Sequence, residues 1–298
     1  MNRFKSGREE KRLLTIILMR QGVIMILDKF SLEGKVAIVT GGGTGLGKAI
    51  CHALARAGAD VVVAGRTPAT IEETASEVRK IGQRSVAIPT DVTDSNQVDN
   101  LIKQTLKKFG NVDILVNNAG IARGIEPSPR DPTPIQLGPI WELSNDKWHN
   151  AIDTNLTGAF YCCRAVAKHM IERRSGKVIN MSSVGGLRAR GGWFTYCSAK
   201  AGVIMLTKTL AVTWAKDNIQ VNCIAPGFFQ IVDPSLVGAK TDFIPMGRFG
   251  NPKEIGLLAV YLTSEASNYV TGECFVIDGI GSAAYAPTGY APMVPLPK

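Results

Sequence analysis

Tyr196 and Lys200 stand four positions apart, and their residue types and spacing are those of an acid–base pair. They lie at the start of a predicted helix over residues 196–216, so their side chains share one helix face. An ammonium group beside a phenol favours the phenolate, which predicts a lowered pKa for Tyr196 and proton transfer near neutral pH. Ser183 follows a predicted strand and can hydrogen-bond the same substrate oxygen, and Asn155 completes the candidate catalytic set.

A glycine-rich turn indicates where a nucleotide would bind. The segment TGGGTGLG at residues 40–47 follows the apolar run at residues 36–39 and opens a predicted helix. Gly41 permits a tight turn, Gly45 lets backbone N–H groups approach a pyrophosphate, and Gly47 allows the helix to pack closely on the sheet. We therefore predict a dinucleotide site with contacts from Gly41, Thr44, Gly45, Leu46 and Gly47.

The residues at the end of the second predicted strand indicate which of the two nicotinamide dinucleotides, NAD or NADP, would bind. A carboxylate there would bind a free 2′-hydroxyl, whereas a small residue followed by Arg66 leaves room and a guanidinium for a 2′-phosphate. Arg66 therefore favours NADP, and NAD is the alternative if this side chain is only solvated. Asp91 and Val92 end the third strand near the expected adenine, although capping of the helix predicted at residues 96–109 is an equally physical role for Asp91.

Short apolar runs alternate with helical stretches along most of the chain. The runs begin near residues 36, 61, 85, 114, 177, 220 and 274. Continuously apolar strands separated by helices are typical of a parallel sheet that is covered on both faces. We predict a single α/β domain with a Rossmann-like doubly wound parallel sheet, helices on both faces and a ligand crevice at the carboxyl ends of the strands. Asn118, Ala119 and Gly120 end the fourth strand, where small residues let the backbone run beside a flat ligand.

In their order along the chain, these motifs resemble the short-chain dehydrogenase/reductase family over approximately residues 32–279. The resemblance rests on the glycine turn, NNAG at residues 117–120, Asn155, Ser183, the Tyr196 and Lys200 pair, and PG at residues 226–227. It implies that Tyr196 donates a proton to a carbonyl oxygen, that Ser183 polarises that carbonyl, and that Lys200 lowers the pKa of Tyr196 and binds the nicotinamide ribose. Asn155 would hold a water in the proton relay, and the hydride would come from the nicotinamide. The cofactor contacts that the resemblance adds are Tyr196, Lys200, Pro226, Gly227 and Phe229.

Three departures from the family pattern stand out. Ile231 occupies the place where the family often has a threonine that contacts the nicotinamide carboxamide. The proline-rich segment at residues 122–140 is longer than the usual connection and is predicted to be an irregular loop beside the crevice. Ile280 replaces the second glycine that usually follows the last strand.

The segments around the expected substrate position are mostly apolar. Trp193, Phe228 and Phe229 favour a hydrophobic ketone, whereas Arg188 and Arg190 keep a 3-oxoacyl thioester of acyl carrier protein or coenzyme A as an alternative substrate. We therefore expect an NADP-dependent oxidoreductase that transfers hydride between nicotinamide and a ketone or secondary alcohol. A non-catalytic nucleotide sensor is the alternative of another class, although such a protein has little need for the complete catalytic set.

Composition and charge argue against nucleic-acid binding and metal binding. The formal charge of the 298 residues is +9, and residues 1–30 contribute +4 of it, since they hold seven Lys or Arg and three Asp or Glu. No basic stripe interleaved with aromatic residues is present, so we do not expect nucleic-acid binding. Six cysteines without C-x-x-C spacing indicate reduced thiols and a cytoplasmic protein, and three histidines without ligand spacing indicate no metal.

The two ends of the chain differ from its middle. We predict an N-terminal extension at residues 1–31, a catalytic domain at residues 32–280 and a proline-rich tail at residues 281–298. The apolar runs of the extension are interrupted by Arg20 and Gln21, so no membrane span is expected; the segment is either an amphipathic arm or lies upstream of a natural start at Met25. Apolar residues on more than one face of the helices at residues 148–173 and 196–216 predict a homo-oligomer, and by analogy a homotetramer.

Overall fold

The computed structural model of the protein describes residues 26–121, 139–189, 191–231, 241 and 244–282. Within them, seven strands form one parallel sheet in the order β3-β2-β1-β4-β5-β6-β7. The strands are β1 (Val36–Thr40), β2 (Asp60–Gly65), β3 (Ser85–Pro89), β4 (Ile114–Asn117), β5 (Gly176–Met181), β6 (Ile219–Pro226) and β7 (Cys274–Ile277).

Helices connect successive strands and cover both faces of the sheet. The α-helices are α1 (Gly45–Arg56), α2 (Pro68–Ile81), α3 (Ser95–Phe109), α4 (Asn145–Ile152), α5 (Gly158–Arg173), α6 (Phe194–Trp214) and α7 (Pro252–Thr263). A π-helical turn, Asp153–Thr157, joins α4 to α5. Short 3₁₀ turns occupy Ile26–Phe30, Ile140–Glu142, Val184–Gly186, Ala215–Asp217 and Glu265–Ser267.

The five inner strands are buried on both faces because their side chains alternate between two hydrophobic cores, whereas the edge strands β3 and β7 are partly exposed. Ala37 and Val39 of β1 pack in one core with residues of α1, α2 and α7, whereas Ile38 packs in the other with residues of α3, α5 and α6. All five residues of β1 are buried. This double burial explains why the strands are continuously apolar, and the doubly wound α/β fold expected from that pattern is confirmed.

The order of the strands reverses at β1, which pairs with β2 on one side and with β4 on the other. Thr40 at the end of β1 is in register with Ala64 of β2 and with Asn117 of β4. The connections that follow β1 and β4 therefore run in opposite directions along the sheet. A crevice opens between them, beyond the carboxyl ends of these strands. The glycine turn begins at this crevice.

The predicted domain boundaries remain predictions, because residues 1–25 and 283–298 lie outside the described residues. Residues 122–138 of the predicted long loop and Arg190 also lie outside the described residues. The described end of the N-terminal extension packs on the domain: the rings of Phe30 and Tyr261 are 6.3 Å apart, and Lys29 forms an ion pair of 2.7 Å with Glu265. Among the described helices, none combines the length and the apolar character that crossing a bilayer requires.

Candidate active site

The phenol of Tyr196 lies in the first turn of α6, against the end of β5. Its ring packs edge-on against Trp193, with ring centroids 5.6 Å apart, and only 8% of the residue is exposed. Ser183 Oγ accepts a hydrogen bond of 3.1 Å from the N–H of Gly185 and lies beside the Tyr196 ring, since a Cβ at Gly185 would be 3.5 Å from Ser183 Oγ and 3.3 Å from Tyr196 Cε1. Burial raises the pKa of Tyr196, and the hydrogen bond with Ser183 acts in the opposite direction. Within the protein itself, desolvation of the phenol outweighs the stabilisation of its anion; the lowered pKa predicted from sequence, which includes the charge of an oxidised nicotinamide, stays a prediction.

Lys200 lies one helical turn beyond Tyr196, with its Nζ 5.8 Å from the centroid of the tyrosine ring. This Nζ donates a hydrogen bond of 2.8 Å to the carbonyl oxygen of Met181, at the end of β5. Burial lowers the pKa of Lys200 to about 8. The lysine therefore carries a weakly held proton beside the candidate acid, and a backbone carbonyl keeps it in place.

Asn155 lies in the π-helical turn between α4 and α5. Its Nδ2 donates to the carbonyls of Ala151, at 3.0 Å, and Ile121, at 3.2 Å, while its Oδ1 accepts from the N–H of Ile121 at 3.2 Å. The turn holds one more residue than an α-helical turn, which re-aims the side chains at this point. Asn155 is thereby fixed against the chain that follows β4.

Gly120 lies between two of the candidate catalytic residues. A Cβ at this position would approach Asn155 Oδ1 to 2.8 Å and Lys200 Nζ to 3.3 Å. Only a hydrogen atom fits there, because a side chain would displace one of these polar groups. The structure therefore brings Asn155, Lys200 and the NNAG segment to one place.

The glycine turn is held at the end of the sheet by the NNAG segment. Gly41 adopts φ +62°, and Asn118 Nδ2 donates to the carbonyls of Thr40 and Gly41 at 3.0 and 3.1 Å. Thr40 Oγ1 accepts from the N–H groups of Asn118 and Ala119, both at 3.1 Å. At Gly47, a Cβ would lie 2.2 Å from the Gly41 carbonyl oxygen, so only glycine permits this contact between helix and turn.

A groove of about 390 Å³ opens above this turn. Most of the cofactor contacts predicted from the sequence line it, namely Gly41, Thr44, Gly45, Leu46, Arg66, Asp91, Val92, Asn118, Ala119 and Gly120. Backbone N–H groups at the start of α1 and the guanidinium of Arg66 give this groove the donors and the charge that a phosphorylated dinucleotide needs. The residues present therefore fit the nucleotide cofactor that the glycine turn predicts.

Asp91 belongs to the groove and does not cap a helix. Its Oδ1 accepts hydrogen bonds from the N–H and Oγ1 of Thr93, at 3.0 and 2.8 Å. The N-cap of α3 is Asp94, whose Oδ1 accepts from the N–H groups of Asn96 and Gln97. The capping alternative for Asp91 is therefore wrong, because a second aspartate three residues later satisfies the first turn of the helix.

A second cavity, of about 410 Å³, adjoins Tyr196 and Ser183. Gly227 and Phe229 line this cavity and are not among the residues that line the groove, while Ile231 lines both. Pro226 is the last residue of β6 and forms part of neither lining. Phe229, predicted as a cofactor contact, therefore lines the cavity beside Tyr196 and not the groove, whereas Ile231 marks the junction between the two.

Sequence reasoning missed the residues that the last strand contributes to this cavity. Asp278, Gly281 and Ser282 follow β7 and line the cavity together with Arg188. The sequence did offer one signal, Ile280 in place of the second glycine after the last strand. That signal did not indicate that the residues after β7 form a wall of the cavity. Among the described residues, no group of three or more His, Cys, Asp or Glu side chains could hold a metal ion.

Comparisons with known proteins place this geometry in a family. The model of the short chain dehydrogenase family matches residues 35–234. A 3-oxoacyl-[acyl-carrier-protein] reductase of Synechocystis sp. is 38% identical over 253 residues, which cover 84% of this chain and 97% of that protein. A 2-dehydro-3-deoxy-D-gluconate 5-dehydrogenase of Escherichia coli is 36% identical, with 86% of this chain and 98% of that protein covered.

A solved structure agrees in fold as well as in sequence. The crystal structure of a gluconate 5-dehydrogenase from Burkholderia cenocepacia, in complex with NADP and tartrate, is 34% identical, with a TM-score of 0.77. The match covers 87% of this chain and 100% of that one. Since the family model spans most of the chain and these relatives align along nearly their whole lengths, the chain belongs to the short chain dehydrogenase family and is an oxidoreductase.

Proposed function

We propose that this protein is an NADP-dependent oxidoreductase that interconverts a ketone and a secondary alcohol, with Tyr196 as the acid and base. The observation that carries the proposal is the position of the Tyr196 hydroxyl. Tyr196 and Ser183 lie together on the wall of the 410 Å³ cavity, and Ile231 lines both this cavity and the 390 Å³ groove. A carbonyl carbon held at that junction lies within reach of both a nucleotide in the groove and a proton donor.

The side chains divide the work of the proposed reaction. NADPH supplies a hydride to the carbonyl carbon when it is bound. Ser183 and Tyr196 hydrogen-bond the carbonyl oxygen, and Tyr196 transfers its proton to that oxygen as negative charge develops there. The raised pKa of Tyr196 keeps the phenol protonated for this step in the direction of reduction.

Lys200 and Asn155, which do not line the cavity, support the proton transfer. Lys200 Nζ, held on the Met181 carbonyl at 2.8 Å, provides positive charge that stabilises the tyrosinate left after transfer. Asn155 fixes Ile121 and so fixes the Gly120 backbone beside Lys200. In this position Asn155 can hold the water that returns a proton to the site.

Arg66 supports the choice of NADP. It follows β2 and lines the groove with Thr67 and Thr70, so the adenosine side of the groove holds a guanidinium and two hydroxyl groups. A 2′-phosphate is well matched to such donors. The related gluconate 5-dehydrogenase was solved with NADP, which agrees with this choice, while NAD remains the alternative cofactor.

A 3-oxoacyl-thioester reductase is the second candidate, because one relative, 38% identical, is a 3-oxoacyl-[acyl-carrier-protein] reductase. The apolar walls of the cavity, with Trp193, Phe228 and Phe229, suit a hydrophobic ketone in either case. A non-catalytic nucleotide sensor would bind NADPH without turnover of any ketone.

We further propose that the protein is a homo-oligomer, with a homotetramer as the expected form. Of the apolar residues that suggested this, Val166 and Val203 are buried within the single chain, but Phe160 is 43% and Val212 is 82% exposed. Exposed apolar side chains on α5 and α6 offer a surface that a second copy can cover. Sedimentation measures the mass of the assembly directly.

We also propose a cytoplasmic location. The six cysteines are free thiols, which supports it.

The function is tested by replacing Tyr196→Phe and measuring reduction of a panel of ketones and 3-oxoacyl thioesters with NADPH and NADH. We expect kcat to fall by about 10²- to 10⁴-fold while NADPH still binds, because only the proton donor is removed. Tyr269→Phe, at a fully exposed tyrosine outside the site, is the control. Undiminished reduction by the Tyr196→Phe protein would refute the assigned acid, and binding without turnover in the unmodified protein would favour the sensor.

A further inference from the structure

The cavity beside Tyr196 is mostly apolar but carries charge at one edge. Among the described residues that line it, the charged ones are Arg188, which follows the 3₁₀ turn after β5, and Asp278, which follows β7. These two residues lie on two of the loops that enclose the cavity. Their separate hydrogen bonds decide which of them is available to a ligand.

Asp278 is already used by the protein. Its carboxylate accepts hydrogen bonds from the N–H groups of Ile280, at 2.9 Å, and Ser282, at 2.6 Å. These bonds hold a turn in which Gly279 and Ile280 both adopt left-handed backbone conformations, with φ +63° at each. A Cβ at Gly227 would approach the Asp278 Cβ to 2.5 Å, so the base of this side chain packs tightly against the turn after β6. Asp278 therefore builds the wall of the cavity.

Arg188 keeps most of its hydrogen-bonding capacity. One terminal nitrogen donates to the carbonyl oxygen of Ser282, which ties the loop after β5 to the turn that Asp278 holds. No ion pair among the described residues includes Arg188. A guanidinium has five N–H donors in a rigid fork and stays charged at every physiological pH. The Ser282 contact orients this fork at the cavity wall and leaves donors for a ligand.

We propose that Arg188 is a specificity-determining residue that binds an anionic group, a carboxylate or a phosphate, on the far end of the ketone substrate. The inference rests on the proposed function, since it concerns the substrate of the same site. Phe228 and Phe229 contact the apolar middle of such a substrate, its carbonyl lies at Tyr196, and its anion pairs with Arg188. Arg188 is exposed, so the pairing rests on charge-assisted hydrogen bonds from its guanidinium fork to the anion.

The test compares charged and neutral forms of one ketone. Oxo-carboxylates of increasing chain length are assayed against their methyl esters, and a 3-oxoacyl phosphopantetheine thioester is assayed against the corresponding N-acetylcysteamine thioester, which lacks the phosphate. The quantity measured is the ratio of kcat/KM, charged over neutral, for the unmodified protein and for Arg188→Met and Arg188→Lys. We expect Arg188→Met to lower the ratio about 10- to 100-fold, chiefly through KM, and Arg188→Lys to retain part of it.

The matched control is Arg174→Met. Arg174 is also an exposed arginine that donates to a backbone carbonyl, that of Lys216 at 2.9 Å, but it lies outside the cavity. The ratio should not change in this variant, and NADPH binding shows whether each variant is folded. The pair of substrates that responds identifies the anion as carboxylate or phosphate. Equal kcat/KM for both members of every pair, or a ratio that Arg188→Met leaves unchanged, would overturn the role of Arg188 while ketone reduction still supports the proposed function; absence of all ketone reduction would overturn both.

Discussion

Replacing Lys200→Met should remove a charge whose burial makes the folded protein less stable. The pKa of Lys200 falls from 10.5 to about 8 on burial. Each pKa unit corresponds to about 1.4 kcal/mol, so keeping this lysine protonated in the fold costs about 3 kcal/mol relative to the unfolded chain. Methionine is similar in length and unbranched, so it can occupy the same space without charge.

The pH dependence separates this cost from the other effects of the substitution. Loss of the hydrogen bond to the Met181 carbonyl costs about 1–3 kcal/mol, so the net change in stability at neutral pH is small or positive. Between pH 8 and 10.5 the unfolded chain binds more protons at Lys200 than the folded protein does, so the stability of the unmodified protein should rise with pH relative to that of the variant. The difference in unfolding free energy, variant minus unmodified, should therefore fall by about 2 kcal/mol from pH 7 to 9.5.

The assay is urea unfolding of both proteins across this pH range, followed by fluorescence. Lys208→Met, at an exposed lysine of the same helix, is the control and should show no such trend. Ketone reduction should be lost in the Lys200→Met protein and retained in the Lys208→Met protein. If the difference in unfolding free energy does not change with pH, Lys200 does not have a pKa lowered by burial, and the electrostatic account of the site is wrong.

Three further substitutions test other parts of the site. Arg66→Ala should lower the ratio of kcat/KM with NADPH to that with NADH about 10- to 100-fold, because a charge-assisted contact with the 2′-phosphate is lost. Gly120→Ala should lower kcat about 10-fold or more, since its Cβ would lie 2.8 Å from Asn155 Oδ1; Gly191→Ala, where a Cβ meets nothing within 4 Å, should not. Ile280→Gly should raise the unfolding free energy by about 1 kcal/mol, measured by urea unfolding, because it relieves a β-branched residue at φ +63°.

Each of these predictions has a contrary outcome. An unchanged cofactor ratio in the Arg66 variant, or a preference for NADH in the unmodified protein, would refute the choice of NADP. Equal activities of the two alanine variants would show that the space at Gly120 does not matter. A less stable Ile280→Gly protein would mean that packing of the isoleucine outweighs its backbone strain.

Side-chain environment was the part of the site that local patterns did not predict. Spacing placed Tyr196 and Lys200 on one helix face, but the sign of the pKa change at Tyr196 depends on how much of the phenol is buried. The π-helical turn at Asn155 was likewise absent from the predicted continuous helix over residues 148–173. Burial of the phenol and the contact of Asn155 with Ile121 both join segments that are distant in sequence, which periodicity does not contain.

The sequence by itself determined the sheet, the glycine turn and the identity of the candidate catalytic set. These follow from local chemistry: continuous apolar runs require burial on both faces of a strand, and glycine is needed where backbone groups must come close. Only the tertiary structure decided which residues line the cavity beside Tyr196. Arg188 and Ser282, 94 positions apart, meet because the turn after β7 folds back over the loop after β5. No spacing rule links two such loops, because their contact depends on the pairing of β5 and β7 with β6, which lies between them in the sheet.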